Sequence, residues 1–295
     1  MLQVDELPEP TAGPDELLVA VSAAGVTLPA VRALRTATQL PVAPGGDVVG
    51  RVAEVGPGVR GWQTGQRVAA IAFAGAYADR VLVQAGLAVT VPEDIDDLTA
   101  VALVRGGQVA LGALRAGGLR NDTTSVLITA AGGGVGTLAV QLARAAGVER
   151  VVAATSSLDK APMLQALGAT ETVAYGQRWD TPVDLAVDSV GGPVQAQVIE
   201  SLAPFGVLVS ISATGAAVEV NELRVHGRGV IGFGMAPLAR HRPQTYRDRA
   251  VELWKLANQG SITPAIDGPY ELERAAEAHR RIEERRNHGK LVLTL

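Results

Sequence analysis

The segment SVLITAAGGGVGTLAVQLARAAG, residues 125–147, places a glycine run between two apolar stretches. SVLIT is typical of a buried strand, and TLAVQLARAAG is apolar at helical spacing. Ala130, Gly133 and Gly136 stand at the spacing of a small-x-x-Gly-x-x-Gly variant of the dinucleotide fingerprint. The segment therefore predicts a strand, a tight turn and a helix. The turn is either a cofactor site or a purely structural connection that needs glycine.

Each small residue of this turn has a physical task if the turn binds a cofactor. A small residue at Ala130 allows the tight turn, Gly133 lets the backbone approach a pyrophosphate, and Gly136 permits close packing of helix on strand. The pyrophosphate would bind the free N–H groups at the positive end of the helix, where Gly134 and Val135 also lie.

The end of the next predicted strand, residues 150–155, bears on the choice between NADH and NADPH. Enzymes that use NAD usually place Asp or Glu there to bind the ribose 2′-hydroxyl. This chain has Ser156 and Ser157 followed by Lys160, and hydroxyls with a positive charge predict a site for the 2′-phosphate of NADPH. Asp159 is the exception, as either an exposed acid at a helix N-terminus or a group that weakens the preference for the phosphate.

The remaining sequence shows two kinds of pattern. The first hundred residues contain short strands punctuated by Gly and Pro, which predicts a β-rich barrel or sandwich. Strands then alternate with helices as far as about residue 235, which predicts parallel βαβ units, and two amphipathic helices and a closing strand follow. The predicted parallel strands are 125–129, 150–155, 172–174, 184–188, 206–211 and 230–234, and the helices between them start after Gly136, Ser157, Gly192 and Asn221.

Composition narrows the classes of function. The net charge is −4 and there are no cysteines, which disfavours nucleic acid and anionic membranes as partners and excludes disulfides and cysteine-ligated metals. No apolar stretch approaches the roughly 20 residues of a membrane span, and MLQVDELPEP lacks the features of a secretion signal. We expect a cytoplasmic protein without a metal. The four histidines, which have no metal-ligand spacing, are His226, His241, His279 and His288.

Further motifs extend over nearly the whole chain. In order they are GVTLPAVRALR (25–35), PGGDVVGRVAEVGPGV (44–59), GQRV (65–68), GAYAD (75–79), AAGGGVG (130–136), SSLDKAPMLQALGAT (156–170), VDLAVDSVGG (183–192), AAEAHRRIE and GKLVL. With these motifs in this order and spacing, the chain resembles the zinc-independent quinone oxidoreductases of the medium-chain dehydrogenase/reductase superfamily, a group that includes zeta-crystallin and many enoyl reductases.

The resemblance implies an α/β protein of two domains with the active site in the cleft between them. A chaperonin-10-like β-barrel catalytic domain would comprise residues 1–103 and 239–295, and a Rossmann domain with a doubly wound parallel sheet would comprise residues 104–238. The implied activity is NADPH-dependent reduction of a small apolar quinone, enone or enoyl thioester by hydride transfer. A homodimer is also implied, formed by pairing of Rossmann edge strands, with residues 230–234 as the candidate edge.

The resemblance also assigns cofactor contacts. Around the 2′-phosphate it places Ser156, Lys160 and Tyr175, and along the adenosine and ribose it places Asp188 and Ser212. It places Phe233 and Gly234 near the nicotinamide, and Asn287 approaches from the C-terminal tail.

Candidate catalytic residues lie where the chain departs from the family pattern. In the loop that often reads GVNF-x-D, this chain has Thr27 for the Asn and Ala30 for the Asp, and Arg32 replaces a tyrosine or apolar pocket residue. Thr27 and Gln108 are candidate donors to a substrate carbonyl, and Arg32 either stabilises an enolate or is a solvated surface arginine. Two alternatives stay open: a cofactor-binding protein with a structural or regulatory role, and an enzyme of the same fold that performs a non-redox step.

Other polar side chains are interpreted without a catalytic role. Tyr77 is expected to be a packing residue rather than an acid, and His279 a packing or surface residue. Asp184 and Asp188 resemble a carboxylate pair, but both fall on one predicted strand, so general acid/base chemistry is not expected of them.

Overall fold

The computed structural model describes residues 2–38, 41–119, 123–177, 179, 182–212, 214–215 and 217–295. The chain divides into two compact units. Unit 1 comprises residues 1–108, 236–260 and 264–295, and unit 2 comprises residues 109–235 and 261–263. These divisions fall a few residues from the boundaries expected after residues 103 and 238, and the short segment 261–263 joins unit 2.

Secondary structure follows the predicted change from strands to alternating strands and helices. The strands are β1 (Glu16–Gly25), β2 (Gly46–Val55), β3 (Arg67–Ala72), β4 (Arg80–Gln84), β5 (Ala88–Thr90), β6 (Ser125–Ile128), β7 (Arg150–Thr155), β8 (Glu171–Ala174), β9 (Val183–Asp188), β10 (Leu202–Ser210), β11 (Gly229–Gly232), β12 (Ile266–Glu271) and β13 (Lys290–Thr294). The helices are α1 (Leu28–Thr36), α2 (Asp97–Ala102), α3 (Gln108–Ala116), α4 (Gly134–Ala145), α5 (Ala161–Ala166), α6 (Gly192–Glu200), α7 (Val220–His226), α8 (Met235–His241), α9 (Pro243–Asn258) and α10 (Ala275–Glu283). A π-helical turn, Leu103–Gly107, joins α2 to α3.

Unit 1 is built on one sheet centred on β1. Among the described residues the sheet has seven strands in the order β12-β13-β1-β2-β3-β5, and β4 also pairs with β1. The first and last strands of the chain are neighbours, since Ala24 pairs with Leu293 in antiparallel register. Leu17, Val48 and Leu291 lie in the core beneath the sheet. This β-rich unit confirms the predicted chaperonin-10-like fold.

Unit 2 is a parallel sheet covered by helices. In the part of the chain that the structure describes it has six strands in the order β11-β10-β9-β6-β7-β8. The order reverses between β6 and β9, which makes the sheet doubly wound, and folds of this kind bind ligands at the carboxyl ends of the strands beside that reversal. We call this side of the sheet the carboxyl edge. The predicted Rossmann fold is confirmed.

Several predicted elements differ from the observed ones. Helices α1 and α8 and strand β12 were not predicted, and α4 begins at Gly134 rather than after Gly136. The predicted strand 230–234 is β11, which ends at Gly232, so Phe233 and Gly234 lie beyond it.

The expectation that no apolar stretch reaches the length of a membrane span was wrong. The continuous helical run Asp97–Ala116 has 20 residues and is long and apolar enough by composition. However, 72% of its apolar 18-residue window is buried within the protein, as in the core helix of a globular protein.

Candidate functional site

The first turn of α4 presents backbone donors at the carboxyl edge. Gly133 is the N-cap in an extended conformation (φ −91°, ψ 175°), and the Thr137 N–H makes the first bond of the helix, to Gly133 O at 3.0 Å. Within the described residues, the N–H groups of Gly134, Val135 and Gly136 have no recorded acceptor. Three adjacent free donors at a helix N-terminus form a cradle for an anionic group such as a pyrophosphate.

Glycine has a different role at each of two positions of this turn. A Cβ added at Gly136 would lie 2.4 Å from Ala130 O and 2.5 Å from Ala131 Cα, so the helix can pack here only without a side chain. A Cβ added at Gly133 would meet only Ala130 O, at 3.3 Å. The protein itself therefore nearly tolerates a side chain at Gly133, whereas a ligand approaching the cradle would not.

The Lys160 side chain lies against the same turn. It is buried, and a Cβ added at Gly132 would lie 2.5 Å from Lys160 Cδ. Tyr175 donates from its backbone N–H to Thr155 O at 3.1 Å, and its hydroxyl accepts from the Ala130 N–H at 2.6 Å. The structure thus brings Lys160 and Tyr175 together at the glycine turn.

Ser156 follows the last residue of β7 and is exposed, as are Ser157 and Asp159. Hydroxyl groups are therefore available beside the turn, where β7 and β8 run as parallel neighbours.

Asp188 organises the loops at the carboxyl edge. Its buried carboxylate accepts from Thr129 Oγ1 at 2.7 Å, from the Val190 N–H at 3.0 Å and from the Gly191 N–H at 3.0 Å. These bonds close the turn after β9 against the end of β6. A contact from this carboxylate to the adenosine ribose stays a prediction.

Asp184 lies at the opposite end of β9 from Asp188. One of its oxygens, Oδ2, accepts from the N–H and hydroxyl groups of both Thr124 and Ser125, at 2.9–3.0 Å. Burial acts to raise the pKa of Asp184, but these four hydrogen bonds outweigh it and lower the pKa. The two carboxylates are separate structural groups and do not form an acid/base pair.

Three further predicted cofactor contacts follow strands at the carboxyl edge: Ser212, expected along the adenosine and ribose, and Phe233 and Gly234, expected near the nicotinamide. Ser212 comes two residues after β10 and its hydroxyl accepts from the Thr214 N–H at 3.1 Å. The Phe233 N–H donates to Ser210 O at 2.9 Å, which places Phe233 and Gly234 directly after β11. Because parallel strands end on one side of the sheet, these residues share the edge that carries the first turn of α4.

The four remaining predicted residues belong to unit 1. The Thr27 hydroxyl caps α1 by accepting from the Ala30 N–H at 3.4 Å. Arg32 is exposed on α1, as the surface interpretation expects. The buried Asn287 donates from Nδ2 to Gly289 O at 2.8 Å.

Gln108 is fully buried, and only one of its two side-chain polar atoms has a hydrogen-bond partner among the described residues. Its Nε2 donates to Tyr246 O at 2.8 Å, whereas no donor within the described residues reaches Oε1. A buried amide oxygen left without a donor costs about 1–3 kcal/mol.

A buried cluster of three charges in unit 1 was not predicted as a site. Asp47 on β2 has no exposed side-chain surface; its Oδ1 accepts from Arg105 Nε, and its Oδ2 accepts from Lys290 Nζ at 2.5 Å. Arg105 Nη2 also donates to Gly46 O at 3.2 Å, and Lys290 Nζ donates to Val26 O at 3.2 Å. We call Asp47, Arg105 and Lys290 the charge cluster.

Electrostatics within the charge cluster favour the ionised carboxylate. Burial acts to raise the pKa of Asp47, but Arg105 and Lys290 outweigh it and lower the pKa. Burial lowers the pKa of Lys290, opposed by the negative charge of Asp47. In the sequence, Asp47 and Lys290 belong to the PGGD and GKLVL motifs, and nothing in either motif predicts that the two side chains are in contact.

Tyr77 and His279 form a pair beside the charge cluster. Tyr77 Oη lies 3.0 Å from His279 Nε2, and the rings meet edge to face with centroids 5.6 Å apart. Burial raises the pKa of Tyr77, and the charge of Asp47 raises it further. Burial also lowers the pKa of His279, so the imidazole favours its neutral form.

Replacing His279 with glutamine should weaken the dependence of stability on pH below 6.5. The unfolded chain takes up a proton near pH 6.5, whereas the folded pKa is lower. The stability contributed by neutral His279 is therefore present above pH 6.5 and is lost as the pH falls toward the folded pKa. The thermal midpoint, measured at pH values on both sides of 6.5, should fall less in His279→Gln than in the wild type. The exposed His226, replaced in the same way, is the control, and equal slopes for His279→Gln and the wild type would refute the prediction.

Comparison with known proteins identifies the family. Residues 13–93 match the alcohol dehydrogenase GroES-like domain, and residues 167–293 match the zinc-binding dehydrogenase family. Quinone oxidoreductase of Pseudomonas aeruginosa is 30% identical over 88% of this chain and 84% of its own length. The chain belongs to the medium-chain dehydrogenase/reductase superfamily.

Other superfamily members are similar over nearly their whole length. Acryloyl-coenzyme A reductase of Sulfurisphaera tokodaii is 27% identical, covering 99% of this chain and 96% of the relative. A mycobacterial protein solved in complex with NADPH is 29% identical with a TM-score of 0.90, covering 99% of this chain and 95% of that one.

The family name raises the question whether this superfamily member has ligands for zinc. The chain has no cysteine, and within the described ranges no three His, Asp or Glu side chains lie close enough to hold one ion. Where zinc proteins gather neutral imidazoles and thiolates, the charge cluster contains one carboxylate and two cations. These residues do not fit zinc.

Proposed function

We propose that this protein is an NADPH-dependent oxidoreductase that reduces a small apolar quinone, enone or enoyl thioester. The observation that carries the proposal is the first turn of α4, where free N–H groups and the buried Lys160 side chain meet at one glycine turn. An anion cradle beside a lysine suits a dinucleotide that carries both a pyrophosphate and a 2′-phosphate.

The described residues around this turn fit NADPH. The N–H groups of Gly134, Val135 and Gly136 would hold the pyrophosphate, and Ser156, Lys160 and Tyr175 would hold the 2′-phosphate. In addition, β7 ends without the Asp or Glu that binds the 2′-hydroxyl of NAD. When bound, NADPH supplies a hydride, and the protein supplies binding, orientation and electrostatics.

The acceptor class follows from what the names of two relatives have in common. Quinones and acryloyl thioesters both contain an electron-poor carbon–carbon double bond conjugated to a carbonyl. Hydride addition to either places negative charge on the carbonyl oxygen, so donors to that oxygen are the groups the protein must supply. Thr27 and Gln108 are the polar candidates predicted from the sequence, and Gln108 Oε1 is available to orient an N–H or O–H group.

The proposal includes a cytoplasmic homodimer that pairs the β11 edges of two copies. β11 is at the end of the sheet order, and Ile231 on it is exposed, as are Phe205, Val220 and Val225 elsewhere in unit 2. An unpaired edge strand with exposed apolar residues favours association. Sedimentation velocity distinguishes the monomer from the dimer.

The test measures the oxidation of NADPH, monitored through its absorbance, with each of three acceptors: 1,2-naphthoquinone, a small enone and a crotonyl thioester. We expect turnover with at least one acceptor and a clear preference for NADPH over NADH. Faster turnover with the quinone than with the thioester would assign the protein to quinone reduction. Tight NADPH binding without turnover on any acceptor would refute the enzyme and favour a cofactor-binding protein.

Gly133→Val tests the position of the cofactor by blocking the proposed site. Its side chain fills the proposed cradle from a position where an added Cβ meets only Ala130 O. This variant should remain folded and lose both NADPH binding and turnover. Normal NADPH binding by Gly133→Val would show that the cofactor lies elsewhere.

A further inference from the structure

The charge cluster has more positive than negative charge. With Asp47 ionised and both cations protonated, its formal charge is +1. Among the described residues, Tyr77 and Tyr246 are the other titratable groups whose pKa responds to the cluster, and burial raises the pKa of both. Since both phenols stay neutral, they do not cancel the excess charge.

Only Arg105 connects this excess charge with solvent. The side chains of Asp47 and Lys290 are 0% and 8% exposed, whereas that of Arg105 is 25% exposed. Arg105 uses Nε for Asp47 and Nη2 for Gly46 O. Its Nη1 makes no hydrogen bond within the described residues and is not among the buried unpaired nitrogens. Nη1 is therefore an available cationic donor.

The backbone conformation at Arg105 is of a kind that is frequent at functional sites. The residue lies in the π-helical turn Leu103–Gly107 between α2 and α3, and π turns inside α-helices are frequent at functional sites. Asp47 fixes the guanidinium through Nε, so the side chain is held in place before any ligand arrives. A preorganised donor stabilises a developing charge without the cost of reorganisation.

We propose that Arg105 is a catalytic residue, whose guanidinium binds the carbonyl oxygen of the hydride acceptor and stabilises the negative charge that develops there. This inference rests on the proposed function. It assigns the stabilisation of the enolate to Arg105 rather than to Arg32. Asp47 and Lys290 are positioning residues, since they touch Arg105 or each other.

The reaction balances with this assignment. An enone gains a hydride at its β-carbon from NADPH, which leaves as NADP⁺, and the carbon–carbon π pair shifts to give an enolate whose oxygen faces Arg105. A proton from water then adds to the α-carbon. A quinone gains the same hydride and becomes a hydroquinone monoanion, which takes one proton. Both anions resemble a phenolate.

The experiment is therefore the binding of 4-nitrophenol without NADPH, since its phenolate absorbs visible light and its phenol does not. A nearby opposite charge typically favours the charged form of a group by roughly 10-fold or more. We expect the wild type to bind the phenolate roughly 10-fold or more tightly than the phenol, so the bound dye titrates at lower pH than the free dye. No preference for the phenolate in the wild type would overturn the proposal.

Arg105→Lys is the decisive variant. It keeps one positive charge for Asp47, which preserves the ion pair, but its ammonium ends one atom short of the Nη1 position, so the charge stays paired with Asp47 and no charged donor reaches a ligand. We expect the phenolate preference to be lost, whereas Arg60→Gln, which removes an exposed arginine of the same unit, should retain it. Full retention in Arg105→Lys, or loss in Arg32→Gln, would overturn the assignment.

Kinetics provide a second readout. If the wild type turns over an acceptor, Arg105→Lys should lower kcat by roughly 100-fold, the typical effect of removing one oxyanion donor, with NADPH affinity unchanged. Unchanged kcat would overturn the proposal. If no acceptor is reduced, the proposed enzymatic function fails, while the dye titration still shows whether Arg105 binds an anionic oxygen.

Discussion

Lys160→Met should weaken NADPH binding by roughly 10- to 100-fold, because a hydrogen bond to a charged group is worth about 1.5–3 kcal/mol. Methionine retains an apolar stem against Gly132 and removes only the charge opposite the 2′-phosphate. NADH lacks that phosphate, so its affinity should change by no more than about twofold, the size of a small change in packing. Isothermal titration of both nucleotides measures the difference.

The exposed Lys255 on α9 offers a matched control. Lys255→Met removes the same charge from unit 1 and should leave both affinities at the wild-type value. If Lys160→Met weakened NADPH and NADH equally, the 2′-phosphate would not lie at Lys160.

Asp47→Ala should lower the free energy of unfolding by about 3–5 kcal/mol, the typical cost of removing one partner of a buried ion pair. The substitution leaves Arg105 and Lys290 close together with no carboxylate between them. Urea unfolding followed by tryptophan fluorescence is the measurement, because Trp62 and Trp254 both lie in unit 1.

Glu93→Gln is the control for Asp47→Ala. It breaks the exposed Arg51–Glu93 pair, in which the side chains are 55% and 73% exposed, and such pairs contribute at most about 1 kcal/mol. A loss in Asp47→Ala no larger than that in Glu93→Gln would show that the charge cluster does not stabilise unit 1.

Acid provides a further check on the same variant. The folded pKa of Asp47 lies below its unfolded value of 3.8, so its stabilisation is present above pH 3.8 and is lost as the pH falls through the folded pKa. The difference between wild type and Asp47→Ala should therefore narrow in that acidic range. A difference that stayed constant would contradict the pairing.

Elements with a regular hydrophobic pattern could be predicted from the sequence, and elements that break the pattern could not. β7 was predicted with its observed bounds because its four central residues, VVAA, are an apolar β-type run. β12 was missed because Gly268 and Pro269 interrupt it, and both residues are unfavourable within a strand. β12 tolerates them because it is the terminal strand of its sheet. Helix α1 was missed although Thr27 and Pro29 are ordinary signals of a helix start.

The two candidate sites differ in the same way. The cradle at α4 lies within one short motif, so local spacing was enough to predict its glycines. The charge cluster joins Asp47 to Arg105 and Lys290, which are 58 and 243 positions away in the chain. Contacts of that range depend on the assembled sheet, and the periodicity of a single sequence contains no signal for them.

The adjacency of β1 and β13 bears on how the protein is made. Unit 2 is nearly contiguous in the chain, so most of it can fold as soon as residue 235 has left the ribosome. Unit 1 receives β13 only with residues 290–294, which are synthesised after all the other described strands. Until then, the carboxylate of Asp47 lacks its Lys290 partner, and residues 23–25 of β1 lack the strand that pairs with them. Unit 1 thus starts before unit 2 and is completed after it, and a nascent chain stalled before residue 290 would have a folded unit 2 and an incomplete sheet in unit 1.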